Sequence, residues 1–157
     1  MGEKNKNHYG GCYCGAVRYQ VDGHPDYVSC CHCDDCRKST GAPMVVYSVY
    51  LPEQVHFTHG DRKRYESSPG VNRTFCSDCG TPLSYEAEWQ GQMVVGFFVG
   101  TLDNPEQFPP ERHVFDIDRV SWFDVADHLP RYHQVPSGKD PVRFGPAIEV
   151  TSLSDDE

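Results

Sequence analysis

The chain has 157 residues, 38% of them hydrophobic, and a formal net charge of −9 at pH 7. This length suits one domain with its own core, and the negative charge disfavours nucleic acid as a partner, because affinity for that polyanion comes mainly from basic residues. The chain has no apolar run of about 18 residues and no hydrophobic segment near its start, so we expect neither a membrane span nor a secretory signal, and we expect a cytoplasmic protein.

Short strands separated by turn residues dominate the sequence pattern. Residues 1–8 are polar and are expected to be loose. The first predicted strand covers residues 16–21, where Val17, Tyr19 and Val21 alternate with polar side chains. A short second strand is expected just before the cysteine run at 30–36. Further strands are predicted at residues 44–50, 55–58, 62–66, 71–75, 83–86 and 92–99, with turns at 67–70 and at Gly91.

The last part of the chain is rich in proline and glycine. Residues 101–110 are interpreted as a connection with one helical turn, and residues 111–117 as a last strand. Because no stretch sustains a period of 3.6 residues, we predict a mainly β, antiparallel single domain over residues 9–132. Residues 133–157 are expected to form an extension over the surface. Phe144 and Ile148 could dock this extension onto the domain or onto a neighbouring subunit, which leaves a homodimer open.

Two of the three cysteine groups share one feature. Cys12 and Cys14 form one pair, Cys76 and Cys79 form another, and glycine follows the second cysteine of each. That glycine permits positive φ in a tight turn whose N–H groups point at sulfur. In a reducing compartment, eight cysteines are better explained as metal ligands than as disulfides. The two pairs together supply the four thiolates of a closed, structural zinc site.

The third group lies in SCCHCDDCRKSTG, residues 29–41, and has no such glycine. Cys31, Cys33 and Cys36 can converge on one zinc ion from a single loop. No further pair of cysteines remains to complete this site, so its fourth position is open, as in catalytic zinc sites. Cys30 is the weakest candidate of the four, because neighbouring side chains diverge in extended backbone.

Two histidines are candidates for the fourth position. His32 lies between two ligands and is expected to point away from the metal, whereas His113 is the best remote candidate for a fourth or transient ligand. The same two histidines, with Asp34 and Asp35, are the candidates for a general acid or base, although a structural or solvated role explains each of them better.

A zinc ion held by three thiolates suits an exogenous thiol. Three thiolates leave a net charge of about −1 on the site, which blunts Lewis acidity, whereas soft sulfur binds zinc well and loses its proton on binding. The bound thiolate can attack a small electrophile such as an aldehyde, or release it in reverse. Arg37 and Lys38 could attract a carboxylate-bearing thiol, or could be solvated charges that offset the two aspartates beside them.

Five segments occur in order within residues 9–132: GGCYCGAVRY, CHCDDCRKSTGAP, YESSPGVNRTFCSDCGTPLSYE, VGTLDNPEQFPPERHVF and DHLPRY. In these segments the chain resembles the glutathione-dependent formaldehyde-activating enzyme and centromere protein V family. The resemblance implies the β-tent fold, also called mammalian-suppressor-of-sec-four-like, a zinc-ribbon-related arrangement of antiparallel sheets.

The resemblance also implies two zinc ions per chain and an activity. By position, Cys12, Cys14, Cys76 and Cys79 match the structural zinc ligands, and Cys31, Cys33 and Cys36 match the catalytic zinc ligands. The implied reaction joins glutathione and formaldehyde into S-hydroxymethylglutathione, classed as a carbon–sulfur lyase reaction in reverse. A non-catalytic zinc-binding module for protein partners is the alternative, and Cys30 as a fourth ligand would favour it.

Overall fold

Twelve strands and one α-helix are found in residues 6–138 and 140–146, the part of the chain that the computed structural model describes. The strands are β1 (Asn7–Gly11), β2 (Arg18–Asp22), β3 (Tyr27–Cys31), β4 (Val45–Tyr50), β5 (Val55–His59), β6 (Arg62–Ser68), β7 (Val71–Cys76), β8 (Pro82–Trp89), β9 (Gln92–Phe98), β10 (Arg112–Val114), β11 (Pro130–Arg131) and β12 (Arg143–Phe144). The helix, α1, is Asp34–Thr40, and four single 3₁₀ turns are Pro52–Gln54, Val99–Thr101, Pro105–Gln107 and Asp116–Asp118.

The strands form two sheets. A three-stranded sheet has the order β1-β2-β5, and a nine-stranded sheet has the order β12-β11-β10-β3-β4-β9-β8-β7-β6. Strand content is 44% against 14% helix, which confirms the mainly β prediction. The antiparallel expectation holds except at β10, which pairs in parallel with both β3 and β11. Strand β10 is parallel because it follows β3 through a long crossover and not through a hairpin.

The main core lies between the two sheets. The alternation seen in the sequence is confirmed, since Val17, Tyr19 and Val21 are all buried. Tyr19 on β2 stacks on Phe97 of β9 with ring centroids 3.9 Å apart, and Leu83 of β8 is buried in the same cluster. Large side chains of this kind each contribute about 1.5–3 kcal/mol on burial. One face of β9 packs into this core, and the opposite face lines a cavity that is described below.

Several boundaries differ from the sequence prediction. Strand β1 begins at Asn7, inside the segment 1–8 expected to be loose. Strand β2 begins at Arg18 and not at residue 16, because residues 12–17 form a turn around Cys12. Helix α1 was not predicted, and the last strand expected at 111–117 is only the three residues of β10. The name β-tent and the limits 9–132 stay predictions.

The extension after Tyr132 is partly described. Phe144 lies in β12, which pairs with β11, and its side chain is 70% exposed. Ile148, the other residue expected to dock the extension, lies outside the described residues. Within the described residues, no helix is long and apolar enough to span a bilayer.

Candidate metal centres and the adjoining cavity

Four sulfur atoms meet where the two sheets approach each other. The Sγ atoms of Cys12, Cys14, Cys76 and Cys79 all lie within 4.8 Å of one another. The Cys12 and Cys14 sulfurs are 3.5 Å apart, and the Cys14 and Cys76 sulfurs are 3.8 Å apart. A tetrahedral zinc ion with Zn–S bonds of about 2.3 Å needs sulfur–sulfur edges of about 3.8 Å. These four residues therefore fit a closed tetrahedral site that links the small sheet to β7.

The two pairs are built alike. In the first, the Gly15 N–H donates to the Cys12 carbonyl oxygen at an N···O distance of 3.2 Å, and in the second Gly80 N–H donates to the Cys76 carbonyl at 2.9 Å. Both glycines have positive φ, 81° and 76°. The positive φ expected after the second cysteine of each pair is confirmed, and a side chain would be strained in this conformation.

Three further sulfur atoms meet at the start of α1. The Sγ atoms of Cys31, Cys33 and Cys36 lie within 4.8 Å of one another. Cys31 ends β3, and Cys33 is the N-cap of α1, where its Sγ accepts the Cys36 N–H at 3.3 Å. The helix begins here because a capping acceptor precedes two acidic residues, and it ends at Gly41, which has a φ of 72°. A helical turn, and not a loop, therefore brings the three sulfurs together.

The remaining candidates lie away from this group. Within the described residues, the group contains the three cysteines alone. Cys30 is buried on the other side of β3, beside His113, and burial raises the pKa of its thiol to about 12. His113 donates or accepts through both ring nitrogens, to His32 at 2.8 Å and to Asp127 at 2.9 Å. His32 stays out of the sulfur group, as expected. His113, the remote candidate for a fourth ligand, stays out as well, because its two ring nitrogens contact His32 and Asp127.

A cavity of about 400 Å³ opens on the three-sulfur group. Cys31, Cys33 and Cys36 form part of its lining. Residues 135–137 also line the cavity. Aromatic, polar and charged side chains complete the lining used below: Tyr27, Ser29, Asp35, Tyr47, Arg73, Tyr85, Phe98 and Arg112. Of the two sulfur groups in the described residues, the three-sulfur group lines this cavity and the four-sulfur group does not.

The basic residues expected near the site have other partners. Arg37 donates through Nη1 to the carbonyl oxygens of His32 and Asp118, and it pairs with Asp34. Neither Arg37 nor Lys38 lines the cavity, whereas Asp35 does. Arg37 therefore holds the start of α1 against the loop at Asp118, and the expectation that Arg37 and Lys38 attract a ligand carboxylate is not met by this geometry.

Burial and sulfur contacts set the charge state of the groups around the cavity. Hydrogen bonding to Cys31, and then to Cys36, lowers the pKa of Cys33 far below its usual range. Burial raises the pKa of Tyr47 well above its usual range, and the nearby Cys31 adds to this effect. At neutral pH the cavity therefore holds an anionic sulfur beside a protonated phenol.

Sequence reasoning missed Arg73, Arg112 and Tyr47. Each lies on a strand outside the cysteine segment: Tyr47 on β4, Arg73 on β7 and Arg112 on β10. Arg112 and Tyr47 both pair with Ser29 on β3, which brings these two residues to the cavity. Alternation along β4 and β10 marks which side of each strand they occupy. Only the strand order of the sheet shows that these sides face one cavity.

A family model and a sequence relative of known name indicate one family. Residues 7–118 match the sequence model described as glutathione-dependent formaldehyde-activating enzyme. A Halomonas elongata protein named putative glutathione-dependent formaldehyde-activating enzyme is 30% identical over 127 residues, which cover 74% of this chain and 79% of that protein. An uncharacterised lyase of Schizosaccharomyces pombe is 33% identical over 76 residues, covering 48% of this chain and 55% of that protein.

A solved structure has a similar fold. The crystal structure of a Rhodobacter sphaeroides protein superposes with a TM-score of 0.51 and 22% identity, covering 60% of this chain and 87% of that protein. At this identity the likeness concerns the fold alone. With the match over residues 7–118 and the Halomonas relative, the sequence comparisons lead to one conclusion: the chain belongs to the glutathione-dependent formaldehyde-activating enzyme family.

Proposed function

We propose that this protein is a zinc-dependent carbon–sulfur lyase or synthase that adds glutathione to formaldehyde, or a similar thiol to a similar small aldehyde, and catalyses the reverse reaction. The observation that carries the proposal is the three-sulfur group of Cys31, Cys33 and Cys36 on the wall of a cavity of about 400 Å³. Three protein sulfurs leave one position of a tetrahedral ion for a ligand, and the cavity provides the space for it.

The donor sets of both groups suit zinc. Cysteine thiolates are soft ligands that favour zinc over calcium or magnesium, and we propose about two zinc ions per chain on this basis. Four sulfurs would make one ion structural, held between Cys12 and Cys14 on one side and Cys76 and Cys79 on the other. At the three-sulfur group, a bound zinc ion would keep a thiol substrate in its thiolate form.

The residues around the cavity would position the reactants and supply a proton. In the forward direction the substrate sulfur forms a bond to the aldehyde carbon, and the electron pair of the C=O π bond moves to oxygen. That oxygen then takes up a proton, which replaces the one lost from the thiol. No oxidant or reductant is needed. Tyr47 lines the cavity, and its phenol, which is protonated at neutral pH and whose pKa is raised further by burial, would be a hydrogen-bond donor there. The aromatic lining excludes water and favours a compact electrophile.

The relatives support the same reaction class. The Halomonas relative carries the name of a formaldehyde-activating enzyme, and the Schizosaccharomyces relative carries the name of a lyase. The uncatalysed addition of a thiol to formaldehyde is easy, so the demand on the protein is modest. We propose that it supplies mainly the thiolate and its placement.

The test is zinc content and thiol binding in Cys33→Ser. Serine is a preferred N-cap, so α1 is kept while one metal ligand is lost. We expect about two zinc ions per chain to fall to about one, with glutathione binding lost by calorimetry and with formaldehyde–glutathione exchange, followed by NMR, reduced to the uncatalysed rate. The control is Cys30→Ser, which should keep both zinc ions. Full zinc content and unchanged glutathione binding in Cys33→Ser would contradict the proposal.

The non-catalytic interaction module is less well supported. It requires both ions to be enclosed by protein atoms. Within the described residues, no fourth protein ligand joins Cys31, Cys33 and Cys36, and the group opens on a cavity. A zinc-replete protein that binds neither glutathione nor 2-mercaptoethanol would favour the module over the enzyme.

A further inference from the structure

Two arginines differ from all the others in the chain. The chain has nine arginines, and all lie in the described residues. Seven form an ion pair with Asp or Glu: Arg18, Arg37, Arg62, Arg64, Arg119, Arg131 and Arg143. Within the described residues, Arg73 and Arg112 have no carboxylate partner, and these two are the arginines that line the cavity beside the three sulfurs.

Arg112 is held in place with its outer edge free. Its Nε donates to Ser29 Oγ at 2.9 Å, and its guanidinium carbon lies 4.3 Å from the centroid of the Tyr27 ring. Within the described residues, its two terminal nitrogens have no hydrogen-bond partner. A guanidinium fixed through Nε presents these two nitrogens as a fork, which is the geometry that binds a carboxylate through two parallel hydrogen bonds.

Arg73 is held from two directions. Its Nε donates to Ser67 Oγ at 3.3 Å and its Nη1 to Ser39 Oγ at 3.2 Å, and its guanidinium carbon lies 5.4 Å from the Tyr85 ring centroid. Among the described residues, Nη2 has no hydrogen-bond partner. Both serine contacts are to neutral oxygens, so the positive charge is positioned but not neutralised.

Strand register places the two arginines on opposite walls. Arg112 pairs with Ser29, which pairs with Tyr47, and Arg73 pairs with Tyr85. Strand β10 lies on one side of β3 and β4 in the nine-stranded sheet, and β7 lies on the other side, beyond β9 and β8. Both arginines nevertheless line one cavity, so they reach it from strands on opposite sides of β3, β4, β9 and β8.

The negative charge around the site explains why a ligand with carboxylates would need both arginines. The chain carries a formal net charge of −9, and three thiolates on a divalent ion would add a local charge of about −1. A thiol that also carries carboxylates is repelled by this field. Two unpaired guanidinium groups are the local compensation that such a ligand requires.

We propose that Arg73 and Arg112 each bind one carboxylate of the same thiol ligand, from opposite walls of the cavity, and thereby select a dicarboxylate thiol over neutral thiols. This assignment rests on the proposed function, since it takes the ligand sulfur to lie at the three-cysteine group. Arg112 would bind its carboxylate through two nitrogens, and Arg73 through Nη2. The two residues are then the specificity determinants of the site.

The test uses the zinc-replete full chain and its cobalt(II)-substituted form, whose sulfur-to-metal absorption reports thiol binding. The probes are glutathione, its diethyl ester, in which both carboxylates are blocked, and 2-mercaptoethanol. The variants are Arg73→Gln and Arg112→Gln. Lys38→Gln is the matched control, because it removes one positive charge near the site from a residue that does not line the cavity.

We expect each arginine variant to weaken glutathione binding about 10- to 100-fold, as for loss of a charge-assisted hydrogen bond. Affinity for the diethyl ester should stay within about twofold of the unchanged protein, and Lys38→Gln should bind glutathione about as tightly as the unchanged protein. Zinc content and circular dichroism should be the same in all four proteins, which shows that the variants fold.

Two results would overturn the assignment while leaving the proposed function intact: glutathione binding unchanged in both arginine variants, or an equal loss of affinity for glutathione and for its diethyl ester. The second result would mean that the arginines shape the cavity without binding carboxylates. If the unchanged zinc-replete protein binds no thiol probe, the proposed function fails, and the arginine assignment fails with it.

Discussion

The Nε2 atom of His32 lies 2.8 Å from the Nδ1 atom of His113, and both imidazoles are buried. His113 Nε2 lies 2.9 Å from a carboxylate oxygen of Asp127, and the buried Arg131 pairs with the same carboxylate. Because Asp127 can only accept, His113 donates to it through Nε2–H and accepts from His32 Nε2–H through Nδ1. The network therefore anchors the residue between Cys31 and Cys33 to the neighbouring strands.

The first prediction concerns this network. Asp127→Asn replaces the acceptor of His113 by a weaker one and removes one of the charges paired with Arg131. We expect the free energy of unfolding of the zinc-replete protein to fall by about 1–3 kcal/mol, because buried donors lose a charged acceptor. The measurement is urea denaturation. The matched control is Asp103→Asn, whose exposed pair with Arg18 should contribute about 0–1 kcal/mol. Equal effects of the two variants would contradict the prediction.

The second prediction is a pH dependence. Burial lowers the pKa of His113 below its ordinary value of 6.5, although the Asp127 carboxylate acts to raise it. The folded protein therefore binds fewer protons at this residue than the unfolded chain, so its contribution to stability is present above pH 6.5 and is lost as the pH falls below it.

His113→Gln removes this titration. We expect the free energy of unfolding of the unchanged protein to fall more steeply between pH 7 and pH 5 than that of His113→Gln, both at saturating zinc. His32 contacts His113 and its pKa is also lowered, by burial and by His113, so the difference in slope reports His113 together with its effect on His32. Parallel pH profiles would show that this histidine keeps its ordinary pKa.

The third prediction separates two buried cysteines. Cys76 and Cys30 are each 1% exposed, but only Cys76 lies in a sulfur group. Cys76→Ser should lose about one zinc ion per chain and several kcal/mol of stability, because structural zinc contributes directly to folding. Cys30→Ser should keep its zinc and lose only about 1–3 kcal/mol for the buried hydroxyl. Metal analysis and thermal denaturation check both, and loss of zinc from Cys30→Ser would make Cys30 a ligand.

The fourth prediction tests the floor of the cavity. Gly96 lies on β9 between Val94 and Phe98, both of which line the cavity. A Cβ at Gly96 would lie 3.4 Å from the Tyr47 ring and 3.8 Å from the Tyr85 ring, which are ordinary contacts. Gly96→Val adds two further methyl groups among Tyr47, Val49 and Tyr85, so we expect it to lose about 1–3 kcal/mol of stability while keeping its zinc. By narrowing the site, it should also weaken glutathione binding at least about tenfold. Gly96→Ala is the control and should have a smaller effect. Unchanged binding in Gly96→Val would place the ligand elsewhere.

Most of the strands and both sulfur groups could be predicted from the sequence, because alternation and cysteine spacing are local signals. Helix α1 could not be predicted, because its seven residues are too few to show a helical period. His113 looked like a remote ligand because its partner strand was unknown. In the structure His113 pairs with Cys30 on β3. Successive side chains of a strand point to opposite faces, so His113 lies on the Cys30 side of the sheet and away from the Cys31 sulfur. No local pattern encodes the strand order, which also places Arg73 and Arg112 on the wall of the same cavity.

One wall of the cavity comes from residues 135–137, whereas the match to the family ends at residue 118. Both sulfur groups and both cavity arginines lie inside the matched region, whereas this part of the cavity wall lies outside it. A change of side chain at residues 135–137 would therefore alter the shape of the cavity while leaving every cysteine and both arginines in place.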